Sequence, residues 1–136
     1  MAIVSFNFNK ISVERKNLPR GKINIKNNVS IKDVQKADLS LGKAKQAGLR
    51  FIFEYVSKYE PNMGEIKLEG DVLDLGEEKK VKEILDGWKK NKKLPSDLTA
   101  VVINNVLNKC NIQALVLSKE VNLPPPINLP RVGVKK

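Results

Sequence analysis

The chain has 136 residues and carries 25 lysine and arginine residues against 15 acidic residues, a formal net charge of +10 at pH 7. A composition that is 41% hydrophobic and 29% charged is typical of one soluble globular domain with a sizeable core. There is no histidine, and Cys110 is the only cysteine, which excludes an internal disulfide, a cysteine-rich zinc site and any catalytic pair that uses histidine.

No stretch approaches the run of about 18 apolar residues that a membrane span needs. The start MAIVSFNFNK is too short and too strictly alternating for a signal peptide. We therefore expect a cytoplasmic protein with no membrane partner.

The first half of the chain alternates apolar and polar residues with a period of two, the pattern of strands with one buried face. The first run passes through Phe6 and Phe8 and changes phase at Asn9, which indicates a bulge. A second run, between Ile23 and Leu41, is either one long bent strand or two short strands.

Residues 49–59 and 65–75 alternate most strictly and predict a hairpin. Residues 42–48 are interpreted as the polar connection that precedes it. Residues 60–64 form its turn, with Gly64 free to take a positive φ. Gly70 is interpreted as a bulge, since apolar positions change phase after it.

Two helices are predicted after the strands. Val81, Ile84 and Trp88 are spaced for one face of a short helix over residues 77–92. A longer apolar stripe, with Pro95 at its start, predicts a buried helix over residues 96–121. Pro124-Pro125-Pro126 ends it, because proline lacks the amide donor and restricts the residue before it.

These elements predict one α+β domain over residues 1–136. A four-stranded antiparallel sheet at about 2–75 is followed by a short and a long helix packed on one face. A proline-rich extended C-terminal tail at 123–136 completes the chain.

The positive charge predicts a polyanionic partner, because lysine or arginine near a phosphate releases condensed counterions. Lysines outnumber arginines, which favours contacts with the phosphate backbone over reading of bases. The residues predicted to bind RNA phosphates are Arg15, Lys16, Arg20, Lys22, Lys79, Lys80, Lys82, Lys89, Lys90, Lys92, Lys93, Arg131, Lys135 and Lys136.

Apolar strand residues predict a second kind of contact. If the helices cover one sheet face, apolar side chains on the other face need a second copy of the chain or a bound apolar segment. The residues predicted for this client or oligomer interface are Phe51, Ile52, Phe53, Val56, Leu73 and Leu75.

No motif for catalysis is present. Glu69, Asp71 and Asp74 are close in sequence, but a strand places Asp74 on the opposite face from the other two, so a solvated face is favoured over a metal site. We expect no enzyme, no cofactor and no metal.

The layout of strands followed by a long helix and the segment Leu-Pro-Pro-Pro-Ile-Asn-Leu resembles the SecB-type protein-export chaperone family. The matching residues are Pro125, Pro126, Ile127 and Asn128, and the segment GEIKLEG at 64–70 is similar to SecB-like relatives. The resemblance implies a four-stranded antiparallel sheet and a non-enzymatic, oligomeric holdase with apolar grooves for extended, unfolded polypeptides.

The charge departs from this family, because the export chaperones are acidic and use that surface to engage the translocation motor. Charge and resemblance together predict a SecB-like factor that binds the ribosome or ribosomal RNA, also as a symmetric dimer able to bridge two particles. The alternative is a SecB-type holdase that binds unfolded or exported polypeptides.

Overall fold

The computed structural model describes residues 2–17, 21–41 and 44–127. Its elements are, in chain order, β1 (Ala2–Arg15), β2 (Asn24–Leu41), β3 (Ala44–Glu60), β4 (Gly64–Gly76), α1 (Glu78–Asn91) and α2 (Ser96–Glu120). The four strands form one antiparallel sheet in the order β1-β4-β3-β2, which leaves β1 and β2 at its two edges. The predicted α+β architecture is confirmed.

Both helices lie on the same face of the sheet. Every second residue of β3, from Leu49 to Tyr59, is buried beneath them. Val102 and Cys110 of α2 are fully buried in the same core, and α1 contributes Val81 and other apolar side chains. We call this the helix-bearing face and the opposite one the open face.

The connection between β2 and β3 is much shorter than predicted. β2 runs to Leu41 and β3 begins at Ala44, so the prediction of a connection over residues 42–48 is wrong. Strand pairing continues there because it uses backbone groups, which do not require the apolar alternation that this polar stretch lacks. β2 is one strand, with a register shift between Ile31 and Asp33.

The bulge predicted at Asn9 is confirmed, since the pairing of β1 with β4 shifts between Phe8 and Lys10. The bulge predicted at Gly70 is wrong. Gly70 pairs regularly with Phe53, and Leu73 and Leu75 simply lie on the open face. A Cβ atom at Gly70 would clash with the carbonyl oxygen of Asn7, so the absent side chain is what lets β1 approach β4.

The turn between β3 and β4 also differs from the prediction. Asn62, with φ of 49°, takes the positive backbone angle that was expected at Gly64. Gly64 is needed for space, because a Cβ atom there would lie 2.5 Å from the carbonyl oxygen of Glu14 and 3.2 Å from Leu123.

The segment after α2 returns across the helix-bearing face. Leu123 is buried beside Gly64 of β4, and the Tyr59 hydroxyl donates a hydrogen bond of 2.6 Å to the carbonyl oxygen of Pro124. The side-chain amide of Asn27 on β2 donates one of 2.7 Å to the carbonyl oxygen of Pro126. The segment therefore passes over β4, β3 and β2 in turn. The predicted tail beyond Ile127 lies outside the described residues.

Candidate functional site

The open face is dominated by charged side chains. Glu54 lies between Lys32 and Lys67 at 3.7 Å from each, and Lys67 also contacts Glu69 at 3.6 Å. Arg50 pairs with Asp71 at 3.6 Å. Partly exposed pairs of this kind stabilise a fold little, but they make most of this face polar.

Four of the residues predicted for the client or oligomer interface lie on the open face, and all four are half-buried. Ile52 and Leu73 are diagonal neighbours, since Ile52 pairs with Asp71 and Leu73 with Arg50. Leu75 follows Leu73 on the same strand face. Val56 is separate, because Glu54 and its lysine partners lie between it and Ile52.

Phe51 and Phe53 do not belong to that surface. Both are fully buried on the helix-bearing face, so their assignment to an interface is corrected. Strand alternation places odd-numbered residues of β3 under the helices and even-numbered residues on the open face.

An apolar surface that the sequence prediction missed lies along β1. Phe6 stacks on the buried Phe53 with ring centroids 5.0 Å apart, and Phe8 packs edge-on against Phe6 at 5.0 Å. Both rings remain half-buried, and Ile11 on the same face is 48% exposed. The helices pack mainly on β2, β3 and β4, so they cover this margin of the sheet only in part.

The same strand has an unpaired edge. β1 pairs only with β4, and its other side carries backbone groups without a strand partner among the described residues. The segment from 2 to 9, AIVSFNFN, contains no charged residue, whereas lysines that discourage strand addition occur along β2. We call the half-buried and exposed apolar residues Phe6, Phe8, Ile11 and Val13, with this edge, the β1 margin.

The outer face of α2 carries three exposed apolar side chains among polar ones. Val101 is 55%, Ile112 63% and Val116 49% exposed. By length and composition α2 is the one described helix that could cross a membrane, although its inner face, including Val106 and Ala114, is fully buried on the sheet.

The predicted phosphate-binding residues fall in separate places. Arg15 and Lys16 lie at the end of β1, where Arg15 pairs with Gly64, and Lys22 is exposed nearby in sequence. The lysines of 79–93 are exposed on and after α1, which packs beside Lys36 and Asp74. Arg15 is level with Tyr59 of β3, because both pair with Gly64. Lys36 and Asp74 both pair with Leu49 of β3, about 33 Å from Tyr59 at the rise of a strand. Arg20, Arg131, Lys135 and Lys136 lie outside the described residues.

The acidic residues do not form a metal site in the described part of the chain, where no group of three or more potential ligands is found. Glu69 and Asp71 are on the open face in ion pairs, and Asp74 is on the helix-bearing face, 1% exposed. Burial raises the pKa of Asp74 above its usual value.

A polar network on the helix-bearing face joins β3 to β2 and α2, and its Asn27 also donates to the segment after α2. The Ser57 hydroxyl lies 2.6 Å from the Asn27 side-chain oxygen and 3.1 Å from the Tyr55 hydroxyl, which donates to Asn111 on α2 at 3.2 Å. Burial raises the pKa of Tyr55 and of Tyr59. Both phenols therefore stay protonated and donate hydrogen bonds, Tyr55 to Asn111 and Tyr59 to the carbonyl oxygen of Pro124.

Comparison with known proteins gives a likeness among solved structures. No family model and no curated protein matches the sequence. Among solved structures, the chain is similar to the Rv1957 SecB-like chaperone of Mycobacterium tuberculosis, solved in complex with a ChAD peptide from the Rv1956 HigA1 antitoxin. The identity is 10%, the match covers 98% of this chain and 91% of that chain, and the TM-score is 0.51.

The fold is therefore SecB-like, as the resemblance in the sequence predicted. The structural neighbour is a SecB-like chaperone, and it was solved with a bound peptide. Nothing in this likeness supports an association with ribosomes or RNA.

Proposed function

We propose that the protein is a chaperone that binds unfolded or extended polypeptide segments, and that the β1 margin is the main client-binding surface. This holdase function is the alternative to ribosome or RNA binding that was given in the sequence analysis. The cytoplasm is the location proposed for it.

The observation that carries the proposal is the combination of accessible apolar side chains with a sheet edge that has no charged residue from 2 to 9. Phe6 and Phe8 keep part of their rings accessible, and Ile11 is nearly half exposed. An extended client can pair with the free backbone groups of β1 while its alternate side chains contact these three residues. Main-chain pairing is independent of client sequence, as a protein that binds many unfolded chains requires.

The likeness to a peptide-bound SecB-like chaperone supports the proposal at the level of the fold. The charge distribution supports it less directly. The two described groups of basic residues lie at opposite ends of the sheet, whereas the apolar residues of the β1 margin are contiguous along one strand.

Two neighbouring residues of β1 provide a matched test. Ile11 is on the helix-bearing face opposite Leu68, and Ser12 is exposed on the open face opposite Lys67. Each is replaced by aspartate, and suppression of aggregation of a chemically unfolded model enzyme is followed by light scattering. We expect Ile11→Asp to weaken client binding roughly tenfold, the order of magnitude for losing the burial of one aliphatic side chain. Ser12→Asp should retain activity.

Equal loss in both variants would show that added negative charge, not the β1 margin, is responsible. A wild-type protein that leaves aggregation unchanged at stoichiometric concentration would contradict the chaperone function itself.

Self-association is proposed for the open face. Ile52, Leu73 and Leu75 form a small apolar patch among ion pairs, which suits contact with a second copy better than contact with a long client. Sedimentation velocity should give a dimer or larger species for the wild type and a smaller species for Leu73→Glu. A wild-type monomer at every concentration would contradict the proposal.

A ribosome- or RNA-associated role is the second candidate, favoured by the net charge of +10. Native sedimentation of a lysate through a sucrose gradient tests it. Co-migration with ribosomal particles at low salt that is lost at high salt would support it, because phosphate contacts are strongly salt-dependent. Migration as a small free species at every salt concentration would exclude it.

A further inference from the structure

A cavity of about 200 Å³ lies where the two helices meet the sheet end. It is lined by Asp74 of β4, Lys80 and Ile84 of α1, Pro95, and Asp97, Leu98 and Val101 of α2. Lys80, Asp97 and Val101 are exposed, so the cavity communicates with solvent. We call it the Asp74 cavity.

Asp74 is the unusual member of this lining. It is 1% exposed, and its Oδ1 atom has no hydrogen-bond partner among the described residues. No described ion pair within 4.0 Å joins it to Lys80, although the positive charges of the amino terminus and of Lys80 both favour its ionised form. Buried carboxylates are ordinarily paired or hydrogen-bonded, since an unpaired buried charge is costly.

The size and chemistry of the lining limit what can bind there. Ligand sites for drug-sized molecules start at about 300 Å³, so this cavity suits a single side chain or a small amine. Two carboxylates beside a lysine are too few oxygen ligands for a hard metal ion, which takes about six or more. Ile84, Leu98 and Val101 instead suit an aliphatic stem next to a positive head group.

We propose that the Asp74 cavity binds the cationic side chain of a lysine or arginine on a bound polypeptide, with Asp74 as its anionic partner. The proposal rests on the chaperone function for the source of that side chain. Ile3 of β1 pairs with Asp74, so a client strand added at the free edge of β1 would lie two strand spacings, about 10 Å, from the strand that carries Asp74. Client recognition then has two parts: apolar contacts along β1, and one cationic client side chain bound in the Asp74 cavity near the start of β1. We call the second part the cationic anchor.

A small amine tests the cavity independently of chaperone activity. The probe is n-butylammonium, titrated into ¹⁵N-labelled full-length protein, with n-butanol as the neutral ligand of equal carbon number. We expect the amine, and not the alcohol, to change the NMR chemical shifts of the backbone amides of Asp74, Lys80, Asp97 and Leu98. Asp74→Asn should weaken amine binding by about tenfold or more, as the loss of a buried charge partner does.

Lys80→Gln distinguishes a binding site from an internal charge pair. If the cavity takes an external cation, Lys80 competes with it, and Lys80→Gln should strengthen amine binding. If Lys80 is the true partner of Asp74, the wild type would bind no amine, whereas Lys80→Gln would gain amine binding and lose stability, and the proposal would be overturned. Equal shifts with amine and alcohol would overturn it as well.

Peptides extend the test to clients. A lysine-containing extended peptide should bind the wild type more tightly than the same peptide with norleucine, and the two should bind Asp74→Asn equally. One outcome is a wild type that suppresses aggregation yet binds the amine no better than the alcohol and the lysine peptide no better than the norleucine peptide. In that case the cationic anchor is refuted and the chaperone function stands. If the wild type binds the amine but does not suppress aggregation, the chaperone function is refuted and the cationic site stands.

Discussion

Gly70 shows how one missing side chain sets the position of β1. A Cβ atom there would clash with the carbonyl oxygen of Asn7 and lie 2.8 Å from Cζ of Phe53. Gly70→Ala should therefore lower the free energy of unfolding by about 2 kcal/mol, since neither a strand backbone nor a buried ring can move easily. Urea denaturation measures the effect.

Gly87 on α1 is the matched control for this substitution. Its Cβ position has only one neighbour, the carbonyl oxygen of Lys93 at 3.8 Å, an ordinary contact. Gly87→Ala should raise the free energy of unfolding by about 0.5–1 kcal/mol, because alanine is the better helix former. Destabilisation of similar size in both variants would refute the account of close approach at Gly70.

The buried carboxyl group of Asp74 should make the free energy of unfolding depend on pH. Its folded-state pKa is raised above the ordinary value of 3.8 chiefly by burial, and nearby positive charge, Lys80 included, opposes the shift. A group of this kind contributes stability below its unfolded pKa and loses it as pH rises through the folded value. Asp74→Asn should therefore be more stable than the wild type at pH 7, and the difference should vanish below about pH 3.8.

Thermal or urea unfolding across this pH range provides the measurement. Asp97→Asn, at an exposed carboxylate of the same cavity, is the control and should show no such pH-dependent gain. A wild type more stable than Asp74→Asn at pH 7 would mean that Asp74 has a strong partner within the protein.

At the scale of elements, the segment after α2 depends on side chains of other elements for its position. Tyr59→Phe removes the donor to the Pro124 carbonyl and should cost about 1–2 kcal/mol of stability. It should also speed hydrogen exchange in the peptide that spans residues 118–127. Mass spectrometry of exchange measures both the segment and the rest of the chain.

Tyr55→Phe separates these two effects. Tyr55 is equally buried and loses its hydroxyl contacts with Asn111 and Ser57, but no described hydrogen bond joins it directly to the segment. Its stability should fall while exchange in residues 118–127 stays close to that of the wild type. Faster exchange there in both variants would indicate general loosening of the fold.

The elements themselves were largely predictable from local patterns. Both helices begin and end within two residues of the predicted bounds, because proline and the apolar stripe determine them locally. The connection between β2 and β3 was not predictable, since residues 44–48 pair through their backbone without an apolar alternation. Gly64 and Gly70 were misassigned for a related reason: their neighbours, Glu14, Leu123 and Asn7, are distant in sequence.

At the scale of the whole molecule, the SecB-like fold followed from element order, whereas the candidate site did not. Alternation alone could not show that β1 is an edge strand and β3 a central one, because strand order depends on non-local pairing. Phe6 and Phe53 carry the same sequence signal, yet one remains accessible and the other is fully buried. The net charge was equally uninformative about arrangement, since its described clusters lie at opposite ends of the sheet.

The most direct test of the chaperone account is hydrogen exchange of the full-length protein with and without an unfolded client. The account predicts slower exchange along β1 (Ala2–Arg15) in the complex, where a bound strand would pair with its free edge. Exchange in β2 (Asn24–Leu41), at the opposite edge of the sheet, should remain unchanged. Protection confined to the lysine-rich residues 79–93, or no protection of β1 under conditions where the client is bound, would contradict the account.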